Sequence, residues 1–116
     1  MPDDLATVLD IVLACRRVSR FLVGTSELEF LENEEKHWAV ASQLLLVGEA
    51  VRRLSDSFCD SRPAIPWPQI AGMRNRLIHQ YDKINWTLVW RTAKEDIPRL
   101  LTELEPLINL SEGDND

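Results

Sequence analysis

Glycine, cysteine, histidine and long apolar runs are all scarce in this chain of 116 residues, and each scarcity excludes a class of protein. The four glycines are scattered, so they form no glycine-rich loop of the kind that cradles nucleotide phosphates. The only cysteines are Cys15 and Cys59, and no secretion signal is recognisable ahead of them. We therefore expect reduced thiols in a cytoplasm. The most apolar stretch, residues 38–51, is too short for a membrane span and contains Gln43 and Glu49.

Few side chains suit metal binding or nucleophilic catalysis. The two histidines and the two cysteines lack metal-ligand spacing, and no Ser-His-Asp arrangement is evident. We therefore expect no metal site and no cofactor. The sequence around His37 is acidic, so we interpret this histidine as a surface residue. His79 is then the one candidate proton carrier.

The net charge of −6 is unfavourable for binding nucleic acid, but its distribution weakens that objection. Five glutamates lie in residues 27–35, and three more acidic residues lie in 111–116. The remainder has 13 basic and 11 acidic residues, and ten of the basic residues are arginines, which suit phosphate contacts. Both acidic runs are typical of solvated surface. We divide the chain into a helical domain, 1–110, and an acidic disordered tail, 111–116.

Apolar residues recur at helical spacing along most of the chain, and no convincing alternating strand pattern is present. We therefore predict an all-α fold, an antiparallel bundle of four to five helices. The predicted helices cover about residues 3–23, a second region to about 58 that can break near Asn33, 68–79 and 86–110. A proline-rich loop, 61–68, precedes the third helix, and we expect Trp67 within it to pack as an anchor.

Capping residues support these helix ends. Gly24 ends the first helix, and Ser26 with Glu29 forms a capping box for the second helical region. Asn85 can cap the last helix. Pro98 lies inside that helix, where it should kink or divide it, because proline lacks an N–H and its ring clashes with the preceding turn.

The second helical region is apolar on two faces, which predicts packing on both. Its core stripe comprises Val40, Leu44, Val47, Val51, Leu54 and Phe58. A second stripe at helical spacing comprises Trp38, Leu45, Glu49 and Arg52. Gly48 in mid-helix costs about 1 kcal/mol relative to alanine unless a close backbone approach compensates. A homodimer across this face explains both features, and so does a helix buried within one compact bundle.

Residues 73–81, Met-Arg-Asn-Arg-Leu-Ile-His-Gln-Tyr, carry most of the functional signal. Arg74 lies five positions before His79, Tyr81 comes two residues later, and Asn75 adds a hydrogen-bonding group. Arginine stabilises charge on phosphate and histidine moves protons near neutral pH. The pair therefore suits attack on a phosphodiester without a metal. On spacing alone, an exposed arginine and a capping histidine at a helix end are the favoured interpretation, and only the surrounding residues change this.

Arg74 has an unusual position for a surface arginine. It lies four residues after Ile70 and four before Ile78, so it borders the apolar stripe of the third helix. A partly buried guanidinium needs an acceptor, and Glu49 is the candidate. Alternatively, both are rim residues with water as their partner.

The sequence resembles the HepT-like branch of HEPN domains over nearly its whole length. The stretch that carries the resemblance is Ile65-Pro-Trp-Pro-Gln-Ile-Ala-Gly-Met-Arg-Asn-Arg-Leu-Ile-His-Gln-Tyr. The upstream triplet Gly48-Glu49-Ala50 looks like the second helix of that family. The run Ile84-Asn85-Trp86, followed by Val89-Trp90, looks like its last helix.

The resemblance implies a cytoplasmic toxin of a prokaryotic toxin–antitoxin pair, an all-α homodimer that cleaves RNA without a metal. The implied partner is a minimal nucleotidyltransferase antitoxin, MntA-like, which silences the toxin by adding AMP to the motif tyrosine. By position, Arg74 and His79 are then the catalytic pair, Asn75 supports them and Tyr81 is the AMP acceptor. Glu49 is our own addition to this site, and Arg76 is a second arginine with which a phosphate on Tyr81 could pair.

The chemistry of RNA cleavage adds a constraint. Attack by the RNA's own 2′-hydroxyl needs a base, an acid and a stabiliser of the charged phosphorane. One chain offers one suitable histidine, and positions 74 and 79 are about 140° apart on an ideal helix. A composite site across a two-fold axis supplies two histidines and two arginines. The alternative is a non-catalytic subunit that presents Tyr81 or a nucleotide pocket to a nucleotidyltransferase, and it does not need His79 as a proton carrier.

Overall fold

The computed structural model describes the backbone of residues 4–114 and the side chains of residues 4–109. Within that range the protein is all-helical, which confirms the predicted fold class. Its elements are α1 (Asp4–Phe21), α2 (Glu27–Leu31), α3 (Glu34–Val51), α4 (Asp56–Asp60), α5 (Trp67–His79), α6 (Trp86–Arg91), a π-helical turn (Thr92–Asp96) and α7 (Ile97–Asp114). The predicted boundary at 110 and the predicted disordered tail stay predictions, because the side chains of 110–116 lie outside the described range.

The predicted capping signals lie where the helices begin and end. Gly24 has φ +71°, which permits the left-handed turn after α1. Ser26 and Glu29 form the reciprocal capping box of α2. Asn33 and Asn85 accept backbone N–H bonds at the starts of α3 and α6.

The second helical region is divided once more than predicted. α3 ends at Val51, and α4 begins only at Asp56. Ser55 is the reason: its side chain caps α4 by accepting the N–H of Phe58 at 3.2 Å. Asp4 at the start of α1 fixes this corner, because its carboxylate accepts the Ser55 N–H at 3.0 Å and the Ser55 hydroxyl at 2.7 Å.

The last helix is divided just before Pro98, as its proline predicts. The π-helical turn Thr92–Asp96 separates α6 from α7, and Pro98 is the second residue of α7. A proline at this point removes a backbone N–H and clashes with the turn before it, and a widened turn relieves that clash. A second proline, Pro106, lies inside α7.

One continuous core holds the bundle together. α1 packs between α3 and α7, and α3 packs against α5 on its other side. The largest fully buried side chains are Phe30, Ile11, Ile97, Leu100 and Leu104. No helix within residues 4–114 is long and apolar enough to cross a membrane.

A close contact with α5 of the same chain requires a glycine at position 48. A Cβ added there would overlap the Cβ of Arg74 and lie 2.7 Å from its Cγ, so α5 crosses α3 directly over this glycine. The close approach predicted for Gly48 is therefore to α5, and Gly48 no longer argues for a second protomer. Of the predicted second stripe of α3, Trp38 stays 47% exposed, whereas Leu45 is partly buried against the core. Leu46, which lies outside that stripe, is 52% exposed.

Candidate active site on helix α5

Helix α5 is fixed to the bundle at its start and along one face. The Nε1–H of Trp67 donates to the carbonyls of Cys59 and Arg62, both at 3.1 Å, which is the anchor that the sequence predicted. The predicted apolar stripe of α5, which comprises Ile70, Met73 and Leu77, is buried. The remaining faces of α5 carry the motif residues.

Arg74 is held in place by two side chains. Its Nε donates to Glu49 Oε1 at 2.7 Å, and its Nη2 forms an ion pair with the same oxygen. Its Nη1 donates to Asn75 Oδ1 at 3.0 Å. The side chain of Arg74 is only 17% exposed, so the predicted Glu49 contact satisfies a guanidinium that is largely buried. Since a guanidinium has five N–H groups, about two remain for another acceptor.

His79 is free of such constraints. It is the last residue of α5, it is exposed, and its side chain forms no hydrogen bond to any of residues 4–109. Five helical positions separate it from Arg74, which places the two side chains about 140° apart around the helix and about 7.5 Å apart along it. The two side chains form no hydrogen bond with each other.

Tyr81 lies in the turn after α5 and is 70% exposed. Its hydroxyl forms no hydrogen bond within the part of the chain whose side chains are described. The ring lines a cavity of about 490 Å³ whose other polar residues include Glu32, Glu34, Asp82 and Lys83. The surroundings of Tyr81 are thus mostly acidic.

The prediction that His37 is a surface residue is wrong. His37 is only 9% exposed, and its ring stacks on Trp86 at 4.2 Å with an interplanar angle of 12°. Phe30 of α2 meets the same ring edge-on at 5.0 Å. Helix α2 folds back over the start of α3 and buries the histidine. The sequence did contain a signal for this: Val40, Ala41 and Leu44, at spacings of three, four and seven from His37, are all buried.

The Nε2 atom of His37 is buried and has no hydrogen-bond partner among the described residues. Within residues 4–109, no group of three or more His, Cys, Asp and Glu side chains is placed to hold a metal ion. Burial raises the pKa of the Cys15 thiol to about 12, and desolvation, together with the nearby Asp56, raises the pKa of the Cys59 thiol. Both cysteines are unpaired thiols.

An all-helical bundle with an Arg-x4-His pair on one helix, and an exposed tyrosine two residues further on, is the arrangement of a HEPN-type domain. The chain belongs to the ribonuclease HepT-like family, whose model matches residues 11–107.

Several relatives are similar to this chain over most of their length. A protein of Methanocaldococcus jannaschii named "Putative RNase" is 35% identical over 103 residues, which is 89% of this chain and 94% of that protein. A "Probable ribonuclease HepT" of Thermococcus cleftensis is 35% identical over 98 residues, 84% of this chain and 89% of that protein. A "Putative RNase" of Caldanaerobacter subterraneus is 31% identical over 98 residues, 84% of this chain and 88% of that protein. No solved structure matches the chain significantly.

Proposed function

We propose that this protein is the ribonuclease toxin of a cytoplasmic toxin–antitoxin pair, and that it cleaves RNA without a metal through Arg74 and His79. The observation that carries the proposal is the contrast between the two side chains: Arg74 is held rigidly by Glu49 and Asn75, whereas His79 is exposed and unpaired among the described residues. A fixed cation and an accessible imidazole are what metal-independent phosphodiester cleavage needs. The names of the relatives as RNases support the same activity.

In the proposed reaction, the 2′-hydroxyl oxygen of the RNA attacks the adjacent phosphorus, and the bond from phosphorus to the 5′-oxygen breaks. One His79 accepts the proton of the attacking hydroxyl, and a protonated His79 gives a proton to the departing 5′-oxygen. The free N–H groups of Arg74 stabilise the negative charge of the phosphorane. The products carry a 2′,3′-cyclic phosphate and a 5′-hydroxyl.

A homodimer supplies the second histidine. Arg74 and His79 diverge on α5, so two copies of the helix have to face each other to place both residue types on one phosphate. Exposed apolar side chains beside the Arg74–Glu49 pair support an interface there, since Leu46 of α3 is 52% and Ile78 of α5 is 39% exposed. The exposure of these two apolar side chains is explained when a second copy packs on them.

Control of the toxin is proposed to act through Tyr81. A minimal nucleotidyltransferase antitoxin adds AMP to the hydroxyl of this exposed residue. The acidic residues around Tyr81 favour a partner with a basic surface, because opposite charges accelerate encounter. The added phosphate can reach Arg76, which has no ion pair among the described residues, more readily than Arg74, whose donors are mostly engaged.

A non-catalytic subunit that presents Tyr81 to a nucleotidyltransferase is the second candidate function. The exposure of Tyr81 fits both candidates, but only the ribonuclease requires His79 as a proton carrier. Substitution of His79 therefore separates the two functions.

The test is RNA cleavage by the purified protein in the presence of EDTA. We expect wild-type cleavage with EDTA, none by His79→Ala, and a loss of about two orders of magnitude or more in Arg74→Ala, since transition-state charge stabilisation is often worth about 3 kcal/mol or more. Gln80→Ala, the exposed neighbour of His79, is the matched control and should cleave like the wild type. Full activity in His79→Ala, or loss of wild-type cleavage with EDTA, would contradict the mechanism.

A further inference from the structure

A second cavity, of about 560 Å³, lies between α5, α6, the π-helical turn and α7. Three arginines line it, one from each of α5, α6 and α7: Arg76, Arg91 and Arg99. All three are exposed, and none has an ion pair or side-chain hydrogen bond to residues 4–109. Arg99 does act on the nearby Asp96 carboxyl through its charge, although no direct ion pair joins them. Three guanidinium groups around one concave surface suit a phosphate-binding site.

Gly72 lies on the wall of this cavity and has no evident role in the fold. It occupies the middle of α5, where glycine destabilises a helix relative to alanine. A Cβ added at Gly72 would meet nothing within 4 Å, whereas one added at Gly48 would collide with Arg74. The fold therefore explains Gly48 but not Gly72. A bare helix backbone facing an open cavity suits a ligand that approaches it closely.

The cavity lies on the same side of α5 as His79. Gly72, Arg76 and His79 are separated by four and three residues, so they lie within about 60° of one another around the helix. Arg74 lies about 160° from Gly72, on the side that faces Glu49 of α3. A nucleic acid strand whose reacting phosphate is at His79 would therefore pass over Arg76 and Gly72.

Two acidic residues, Glu95 and Asp96, also line the cavity. They offset part of the arginine charge, and the excess stays positive in a protein whose total charge is −6. Their carboxylates can accept hydrogen bonds from ribose hydroxyls, which RNA has along its whole length. Glu95 and Asp96 belong to the π-helical turn, a distortion that is frequent at functional sites.

We propose that this cavity binds the RNA strand beside the cleaved phosphodiester: Arg76, Arg91 and Arg99 contact its flanking phosphates, and its backbone lies against Gly72. The proposal rests on the ribonuclease function proposed above and adds a substrate-binding surface outside the Arg74/His79 pair.

The test measures RNA affinity and salt dependence in a His79→Ala background, so that the RNA stays intact during the titration. A fluorescent single-stranded RNA about 12 nucleotides long, enough to span one such binding groove, is titrated with His79→Ala alone and with the added changes Gly72→Ala or Arg91→Ala/Arg99→Ala. We expect Arg91→Ala/Arg99→Ala to weaken binding about tenfold or more, because charge-assisted contacts to phosphate are lost. Gly72→Ala should also weaken binding, because its Cβ would separate the RNA from the helix backbone. The slope of log affinity against log salt should fall by about 0.7 for each phosphate contact that is lost.

Gly72→Ala offers a readout that a structural role would not give. The substitution should raise the thermal midpoint by about 2–4 °C while it weakens RNA binding, because alanine favours the helix and fills only the cavity. Arg20→Ala, which removes an exposed arginine of α1 outside this cavity, is the control and should leave affinity near that of the parent.

Different outcomes separate this proposal from the proposed function. If RNA affinity and cleavage are unchanged in the Gly72 and Arg91/Arg99 variants while His79→Ala is inactive, the cavity does not bind RNA but the proposed catalytic role of His79 stands. If those variants bind RNA more weakly while His79→Ala still cleaves, the cavity binds RNA but His79 is not the catalytic proton carrier. If Gly72→Ala converts a dimer to monomers in sedimentation, or if the cavity binds ATP but no RNA, the proposal is wrong.

Discussion

Removal of Glu49 should loosen Arg74 and lower both stability and activity. Glu49→Ala removes the oxygen that accepts Nε–H at 2.7 Å and pairs with Nη2, and it leaves those donors in a site where the arginine is 17% exposed. A buried donor without a partner costs about 1–3 kcal/mol. Glu49 itself is 46% exposed, so water replaces part of the interaction, and we expect the lower half of that range, about 1–2 kcal/mol.

The assay is a double-mutant cycle by urea unfolding. Glu49→Ala, Arg74→Ala and the double variant should give a coupling free energy of about 1–2 kcal/mol, because the second change costs little once its partner is gone. The pair Arg16–Glu105 is the control: its Nε–Oε2 distance is 3.4 Å, both side chains are more than a third exposed, and its coupling should be below about 1 kcal/mol. Glu49→Gln keeps an acceptor for Nε–H and should recover most of the stability.

The same Glu49 variants are then assayed for RNA cleavage. If Glu49 orients Arg74 for the phosphorane, Glu49→Ala should lower kcat about tenfold or more with little change in KM, since an interaction made in the transition state is lost. Glu49→Gln should recover part of kcat. A coupling free energy of zero, or wild-type kcat in Glu49→Ala, would show that this carboxylate does not position Arg74.

Contacts and burial in the structure lead to three further predictions. Gly48→Ala should destabilise the protein by about 1–3 kcal/mol in urea unfolding, because its Cβ collides with Arg74, whereas Gly72→Ala should not destabilise it. Because burial raises the pKa of Cys15 to about 12, its contribution to stability is complete below the unfolded-state pKa near 9 and is lost as pH rises towards 12. Between pH 9 and pH 11, the free energy of unfolding should therefore fall less in Cys15→Ala than in the wild type. The difference between the two proteins should grow by about 1.4 kcal/mol per pH unit. An equal fall in both proteins would contradict this. Incubation with ATP, Mg²⁺ and a partner nucleotidyltransferase should add mass in AMP steps to the wild type but not to Tyr81→Phe, and equal silencing of both would show that control works by binding alone.

The parts of the fold that local chemistry determines could be predicted from the sequence. Gly24, the Ser26 and Glu29 capping box, and Asn85 mark helix ends through bonds that span only a few residues. The pairing of Arg74 with Glu49 could also be predicted, because each borders an apolar stripe and a buried guanidinium needs an acceptor.

Features that depend on contacts distant in sequence could not be predicted in the same way. The division after α3 depends on Asp4 bonding to Ser55, and the stacking of His37 depends on Trp86 of α6. The cavity of three arginines combines α5, α6 and α7, which no single sequence window contains. Gly48 is conspicuous in the sequence, but only the packing shows that its neighbour is Arg74 of the same chain.

The chemistry of the RNA ends distinguishes cleavage by His79 from other routes. The wild-type protein is incubated with a defined RNA in EDTA, and the fragments are analysed by mass spectrometry. We expect 2′,3′-cyclic phosphate and 5′-hydroxyl ends, formed by the wild type and by Gln80→Ala but not by His79→Ala. Fragments with 3′-hydroxyl and 5′-phosphate ends, or the same cyclic ends from His79→Ala, would contradict it.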